Sequence, residues 1–398
     1  STKSWISFEP ETAETPVSLY ETELSFSAAE QVNGYVFAAD FDGYLYVMKH
    51  GEFQPEVICK TDYTFQDMAY NYADGKLYAL TATTQEDGSY RFNAIVNIDL
   101  YTGQVRLLGY ADGLEDEEAL QVLACSKDGT FYGITSSTTD SRLYRFTVGE
   151  NGDLTAPVLV GSTGYQANYV QSMAFDHESG KLYWAQFYRA HFLDPGQKNL
   201  LEVSTETGAA TALGTMQNET TGLYIVSASG SSFGKTDDVA SVELLQSTLT
   251  LYRGLSETLE GYVTPWNLKD RSILWSSSNP EIATVTSSGE VTGVREGTAV
   301  ITAASKLDPT VTATCTVTVK QLNTQLRGII HDSAGDTFFA TLHADTAACQ
   351  KLSGAVSEDF ISATMAGDQL YAATQGALYQ VDPADGYSAT KLYSTQVP

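Results

Sequence analysis

The chain has little positive charge: 22 Lys and Arg stand against 49 Asp and Glu, a formal net charge of -27. A surface that negative repels phosphate backbones and anionic headgroups, so nucleic acid and membrane insertion are excluded as partners. Neutral sugars, cationic peptides and Ca²⁺ stay compatible. No run approaches the roughly 18 apolar residues that a membrane span needs. Cysteine is scarce, with four residues at 59, 125, 315 and 349, no close pair and no CxxC. That spacing argues against a disulfide framework or a thiolate zinc site, and all four are expected to be reduced. The chain opens at Ser1 without Met or an apolar leader. It is read as the trimmed form of a longer exported protein.

Runs of Ala, Leu, Glu and Lys that favour helices are also few. What is present instead suits pleated, half-buried surfaces: Thr, Val, Ser and Tyr dominate, with 24 Tyr and 32 Gly in 398 residues. Hydrophobic residues make up 42% and charged residues only 18%, which is globular composition with enough length for one large core or two. The expected class is all-β.

One pattern recurs: an apolar stretch, a polar turn with Asp or Gly, then an apolar-aromatic stretch. It appears as FAADFDGYLYVM (37–48), MAYNYADGKLYAL (68–80), LACSKDGTFYGI (123–134) and MAFDHESGKLYWA (173–185). It returns as IIHDSAGDTFFATL (329–342) and ATMAGDQLYAAT (363–374). The glycine supplies the positive φ that a tight hairpin needs. A second unit follows several of these: NIDLYTGQVRLLG (97–109), EVSTETGAATALG (202–214) and QVDPADGYSATKL (380–392). Together they make a four-stranded antiparallel sheet, A-B-C-D, of roughly 40–55 residues, and radial repetition of such sheets is a β-propeller. The expectation is about six blades, with five or seven also fitting. ISFEPETAETPVSLY (6–20) reads as a C-turn-D unit that pairs with the last strands and closes the ring. These turns resemble those of quinoprotein-like and YVTN-type propellers of exported bacterial proteins.

Between about 236 and 320 the repeat stops. Strands read from Val239, through LTLYRG (249–254) and VTPWN (263–267), to LWSSSNPEIATVTSSGEVTGVREGTAVITA (274–303) and TATCTVTVK (312–320). The Trp-Ser-Ser-Ser-Asn-Pro segment, Ala-Thr-Val, the Ser-Gly-Glu-Val-Thr-Gly-Val turn and Gly-Thr-Ala resemble the bacterial Ig-like group 2 domain. That resemblance implies an Ig-like β-sandwich. Within it Trp275 is the expected central aromatic, and Cys315 alternates onto one face with Val317 and Val319 as a small core residue. The domains are therefore 1–235 propeller, 236–320 Ig-like module and 321–398 closing propeller. TTGLYIVSAS (220–229) reads as an innermost strand, so the module replaces an A–B hairpin, with SGSSFGKTDD (229–238) and QLNTQ (321–325) as flexible linkers.

Chemistry-bearing constellations are few. The five histidines make no HExxH pair, and no G-x-S-x-G elbow, Walker loop or Rossmann glycine pattern occurs. His177 and His331 sit at equivalent positions of the repeat, which favours a structural role. DFDG (40–43) begins like a Ca²⁺ loop but lacks the third Asp and the closing Glu, so it reads as a turn. Sialidase-like Asp boxes are approached only by Ser126-Lys127-Asp128, one residue short. No carboxylate pair of a glycosidase stands out. No cofactor is expected, Ca²⁺ being the one left open, and no metal ligand set is assigned.

Long D–A and B–C loops should emerge on one face and carry aromatic residues. D–A loops offer Tyr63, Phe65, Tyr110, Tyr165 and Tyr169. B–C loops offer Tyr90, Arg91, Phe92, Phe187, Tyr188, Arg189, His191 and Phe192, with Trp184 just before. The expected ligand site is a rim of Tyr63, Tyr90, Arg91, Tyr165, Tyr169, Trp184, Tyr188, Arg189 and His191. Rings stack on sugar faces or anchor peptides, and Arg adds forked hydrogen bonds. The Ig-like module would hang from the other face as a spacer.

The functional expectation is a secreted or cell-surface, cell-wall-attached binding or adhesion protein, monomeric and without catalysis, taking an extracellular glycan or protein. The alternatives are a propeller hydrolase or lyase acting on carbohydrate and a structural cell-wall repeat protein.

Overall fold

The computed structural model describes residues 3–115, 118–169, 171–191, 193–226, 233–321, 325–343 and 349–394. Among these residues there is no α-helix, and strands carry the architecture. β1 (Lys3–Ser7) and β2 (Val17–Thr22) form an N-terminal hairpin joined through a 3-10 turn. Four antiparallel meanders follow, each of four strands in chain order. Blade 1 is β3 (Phe26–Val32), β4 (Tyr35–Asp40), β5 (Tyr44–Lys49) and β6 (Glu56–Lys60). Blade 2 is β7 (Phe65–Asn71), β8 (Lys76–Thr84), β9 (Tyr90–Ile98) and β10 (Val105–Tyr110). Blade 3 is β11 (Leu120–Cys125), β12 (Thr130–Thr135), β13 (Arg142–Thr147) and β14 (Val158–Ser162). Blade 4 is β15 (Ser172–Asp176), β16 (Lys181–Tyr188), β17 (Gln197–Val203) and β18 (Ala210–Thr215).

The Ig-like segment contributes β19 (Ser241–Leu244), β20 (Thr248–Tyr252), β21 (Ser256–Thr258), β22 (Gly261–Thr264), β23 (Ile273–Ser277), β24 (Ala283–Val285), β25 (Glu290–Gly293), β26 (Gly297–Ser305) and β27 (Thr312–Lys320). Its sheets are β20-β27-β26-β23, β21-β25-β24 and the pair β19-β22. After it come a three-stranded sheet, β28 (Gln325–His331), β29 (Thr337–His343) and β30 (Cys349–Lys351), and a four-stranded one, β31 (Ser362–Ala366), β32 (Gln369–Thr374), β33 (Ala377–Asp382) and β34 (Ser388–Ser394). The blade-like sheets thus number six among the described residues, five four-stranded and one three-stranded. The chain is an all-β propeller with an inserted Ig-like sandwich. It divides into two compact units, one of residues 1–245, 261–274 and 304–313, the other of 246–260, 275–303 and 314–398.

Within the first unit the turns that punctuate the sequence are hairpins, and their aspartates hold them. Asp40 accepts from the backbone N–H of Asp42 (3.0 Å) and Tyr44 (2.9 Å) and from the Tyr46 hydroxyl (2.8 Å). Asp74 repeats the scheme with Lys76 N–H (3.1 Å) and Tyr78 hydroxyl (2.5 Å). DFDG is therefore a self-satisfied turn. The C–D turn of each later blade packs on the fourth strand of the blade before. Gly103 (φ +74°) places its Cα against Cys59 of β6, where an added Cβ would lie 2.3 Å from the sulfur. Gly208 (φ +80°) meets the backbone of Gly161 on β14 in the same way, at 2.6 Å. Apolar side chains of neighbouring blades close these seams, as Leu45, Ile58, Phe65, Leu77 and Val96 do between blades 1 and 2.

Four expectations need correction. ISFEPETAETPVSLY does not join a terminal blade. β1 pairs with β2 alone, Trp5 packs on blade 1, and Phe8 and Ala13 pack on blade 4. TTGLYIVSAS forms no strand over 221–226, and 227–229 lie outside the described residues. Gly222 (φ +60°) instead brings the chain against Ala29 of β3, and the N–H of Leu223 donates to Ser172 Oγ at 2.8 Å. A side-chain acceptor there replaces a ladder bond, which is why the segment lies beside the inner strands without extending a sheet.

The third correction concerns the module's attachment. Phe233, in the stretch read as a free linker, packs edge-on against Trp266 with ring centroids 5.4 Å apart. Trp266 is 4% exposed among Tyr35, Phe37 and Leu45 of blade 1, and its indole N–H donates to the carbonyl of Leu100 at 2.7 Å. Arg271 donates to the carbonyls of Val57 (2.7 Å) and Ile58 (3.2 Å) on β6. The stretch after β22 is thus an anchor on blades 1 and 2. The fourth concerns the module's aromatic: Trp275 is half-buried, its ring held against Gly289. The buried positions on β26 and β27 are Ala299, Ile301, Ala303, Ser305, Cys315, Val317 and Val319, small and branched side chains at strand period two.

Candidate functional site

The rim residues predicted from sequence separate into exposed groups and core. On blade 2 the β8–β9 hairpin extends past the sheet, and its first three β9 residues stand in solvent, Tyr90 at 68% and Phe92 at 49% exposure. Arg91 lies between them in sequence and turns to the other side. Its guanidinium sits 3.5 Å from the Tyr110 ring centroid and pairs with Asp112 at 2.7 Å. Tyr110 OH meets Thr83 Oγ1 at 2.9 Å. A bulge at Asn93 (φ +61°) fixes the hairpin to the loop after β10. The Asn93 side chain accepts from Leu120 N–H (2.7 Å) and donates to the Glu118 carbonyl (3.2 Å).

On blade 4 a second group forms. Tyr169 is 51% exposed at φ +61°, and its ring lies 6.1 Å from that of Phe187. Arg189 reaches over Phe187 (5.1 Å) and Tyr169 (5.9 Å). Asn168 clamps the backbone of Arg189 through both its amide atoms, at 2.8 and 2.9 Å. His191 is exposed, with its N–H donated to Asp194, and Tyr188 is half-buried at the end of β16. Phe192 lies outside the described residues.

Three expected positions do not face a ligand surface freely. Trp184 is fully buried (0% exposed), its indole N–H donated to Gln171 Oε1 at 3.0 Å; it belongs to the seam of blades 3 and 4, not to a rim. Its strand position, paired across from Leu201 of β17, turns it inward. Tyr63 stacks on the buried Phe65 at 6.2 Å and Tyr165 packs on the blade 3–4 core, so both are seam residues with partial exposure. The rim groups of blades 2 and 4 are built separately.

Sequence reasoning missed what lines the inside of the first unit. Asp67 on β7 is wholly buried, yet satisfied by four donors. Its Oδ1 accepts from Met68 N–H (3.1 Å) and Ser172 Oγ (2.8 Å), and its Oδ2 from Leu123 N–H and Met173 N–H (3.0 Å each). Burial holds its carboxyl well above the ordinary range despite these bonds. Glu30 on β3 accepts from Gln31 N–H (2.7 Å) and Tyr70 N–H (3.2 Å) and is pushed up to about 7 by burial. An acid inside an apolar inner strand, as in FQDMAY and SAAEQV, was the available signal. A cavity of about 740 Å³ also opens in this unit, between the β1–β2 hairpin, blades 1 and 4 and residues 218–226. Among the described residues no three His, Cys, Asp or Glu side chains gather as a metal site, and no helix is long and apolar enough to cross a membrane.

Fold and surface define a β-propeller chain that carries an Ig-like module and presents aromatic loops. Residues 238–317 match the bacterial Ig-like domain (group 2), and this segment is such a domain. Curated relatives are similar over short stretches. An alpha-L-arabinofuranosidase of Bifidobacterium longum subsp. longum is 38% identical over 87 residues, 22% of this chain and 8% of that protein. The kappa-carrageenase of Pseudoalteromonas carrageenovora is 43% identical over 68 residues, 17% of each chain. This chain therefore spans less than a fifth of these relatives. Among solved structures, TolB from Acinetobacter baumannii is similar with a TM-score of 0.33 and 11% identity, over 80% of this chain and 66% of that one. A putative TolB from Agrobacterium tumefaciens has a TM-score of 0.34 and 14% identity, over 56% and 94%.

Proposed function

We propose that this chain is a secreted or cell-surface binding protein, monomeric and without catalysis of its own, whose ligand is an extracellular glycan or protein held at the exposed aromatic loops. The observation that carries the reading is the β8–β9 hairpin. Tyr90 and Phe92, two residues apart on one strand with Cα atoms about 7 Å apart by strand rise, both put a large ring in solvent. Arg91, stacked on Tyr110 and paired with Asp112, is already held in place beside them. Two large exposed rings on one short stretch of an acidic chain support a recognition patch. Tyr169 with Arg189, Tyr188 and His191 on blade 4 forms a further contact group. The names of the similar segments' parent proteins, an arabinofuranosidase and a carrageenase, support polysaccharide over protein as the ligand class.

A glycan array run with a hydrolysis screen tests this. Saturable binding without turnover is expected. Tyr90→Ala with Phe92→Ala should weaken it by roughly fivefold to a hundredfold, each ring contributing about 0.5–1.5 kcal/mol, with the melting temperature unchanged. Turnover abolished by a single carboxylate substitution would instead make the chain a hydrolase or lyase. Silence on both polysaccharide and protein arrays would leave a structural role.

A further inference from the structure

We propose that the cavity in the first unit is a second binding site, independent of the loops, that takes a small organic cation with an alkylammonium or quaternary ammonium head. Its volume, about 740 Å³, is in the range of small-molecule pockets. One wall is aromatic: Trp5, Phe26, His50 and Tyr224 all line it. They form a connected cluster, with ring centroids 5.2 Å apart for Trp5 and Phe26, and 6.1 Å for Trp5 with Tyr224 and for His50 with Tyr224. The buried Phe53 backs the cluster, stacked under Trp5 at 5.6 Å. Such a wall offers several ring faces to one guest, the arrangement that attracts a poorly hydrated cation.

The charge around the cavity agrees. Three carboxylates line it, Glu9, Asp176 and Glu219, against one ammonium, Lys3, whose Nζ already donates to the Glu23 carbonyl at 2.9 Å. Although burial opposes it, the Ser179 hydroxyl at 2.5 Å and Glu178 N–H at 2.9 Å hold the Asp176 carboxyl below its ordinary range. An anionic guest would meet this field unfavourably, a neutral one would forgo it, and a cation gains from both field and rings.

Choline titrated into the full chain, followed by calorimetry and tryptophan fluorescence, reads the site. Saturable binding is expected, with the neutral isostere 3,3-dimethyl-1-butanol at least tenfold weaker. Trp5→Ala should lose at least tenfold in affinity and Glu219→Gln several-fold, while the doubly substituted Tyr90→Ala, Phe92→Ala chain binds choline as the parent does. Trp5→Phe, which keeps an aromatic packing surface, serves if Trp5→Ala fails to fold and should bind several-fold more weakly. Non-saturable choline, equal binding of the isostere, or unchanged affinity in the Trp5 and Glu219 variants would overturn the proposal. Loss of glycan binding in the loop variant with choline binding intact separates this site from the loops.

Discussion

The hydroxyl of Ser172 donates to the carboxylate of Asp67 across 2.8 Å, joining the first strand of blade 4 to that of blade 2, 105 residues away in the chain. The same hydroxyl accepts from Leu223 N–H at 2.8 Å, so one side chain links two blades and the segment after blade 4. Asp67 completes the link by accepting from the backbone of Leu123 on blade 3. One buried acid is thus shared by three blades.

Asp67→Asn should therefore be costly although it is isosteric. Each carboxylate oxygen accepts two donors, and an amide nitrogen in place of either would oppose two N–H or O–H groups. A loss of about 2–4 kcal/mol is expected, read as a lower midpoint in urea unfolding. Unchanged stability would show that the central bonds are dispensable.

Glu30 should make stability depend on pH. Its folded pKa of about 7 lies above its ordinary 4.5 because burial disfavours the carboxylate. A raised folded pKa means that the native state binds the proton more tightly than the unfolded one. Its stabilising contribution is complete below about pH 4.5 and fades as pH rises to about 7, amounting to about 1–3 kcal/mol. Glu30→Gln should flatten that part of the curve of unfolding free energy against pH. A slope between pH 5 and 7 that survives the substitution would assign it to another group.

The two tryptophans of the inserted segment should differ in weight. Trp266→Ala removes a buried indole and its bond to the Leu100 carbonyl and should destabilise the first unit by about 3–5 kcal/mol. Trp275→Ala, at a half-buried position, should cost less than half as much. Thermal unfolding of the two variants gives the comparison, and the reverse order would refute the anchor.

Gly208→Ala should disturb the seam between blades 3 and 4. The residue holds φ +80°, and a methyl group there would lie 2.6 Å from the Gly161 backbone, which has no side chain to rotate away. The expected cost is about 2 kcal/mol or more. Gly51→Ala, at φ +88° with open space around its Cβ position, is the control and should cost only the backbone term.

Much of this was legible in local patterns. The Asp-Gly turns, the period-two strands and the Ig-like motif announced hairpins, blades and module, because each depends on residues within a few positions of one another. The exposed loop of blade 2 was legible for the same reason: Tyr90, Arg91 and Phe92 sit in a polar stretch between two strands. Trp184 was misplaced because a strand's alternation shows that it has two faces but not which one a neighbouring blade covers.

By itself, then, the sequence determined the all-β class, the repeating hairpins, the acidic surface and the identity of the inserted domain, all matters of short-range periodicity and composition. Only the tertiary structure decided that Trp266 anchors the insertion, that Asp67 ties three blades together, and that Trp5 and Tyr224 share a cavity wall. Those contacts join residues from 56 to over 200 positions apart, as Leu123 N–H to Asp67 and Arg271 to Val57 do. No local preference encodes such a meeting; it follows from the packing of whole sheets.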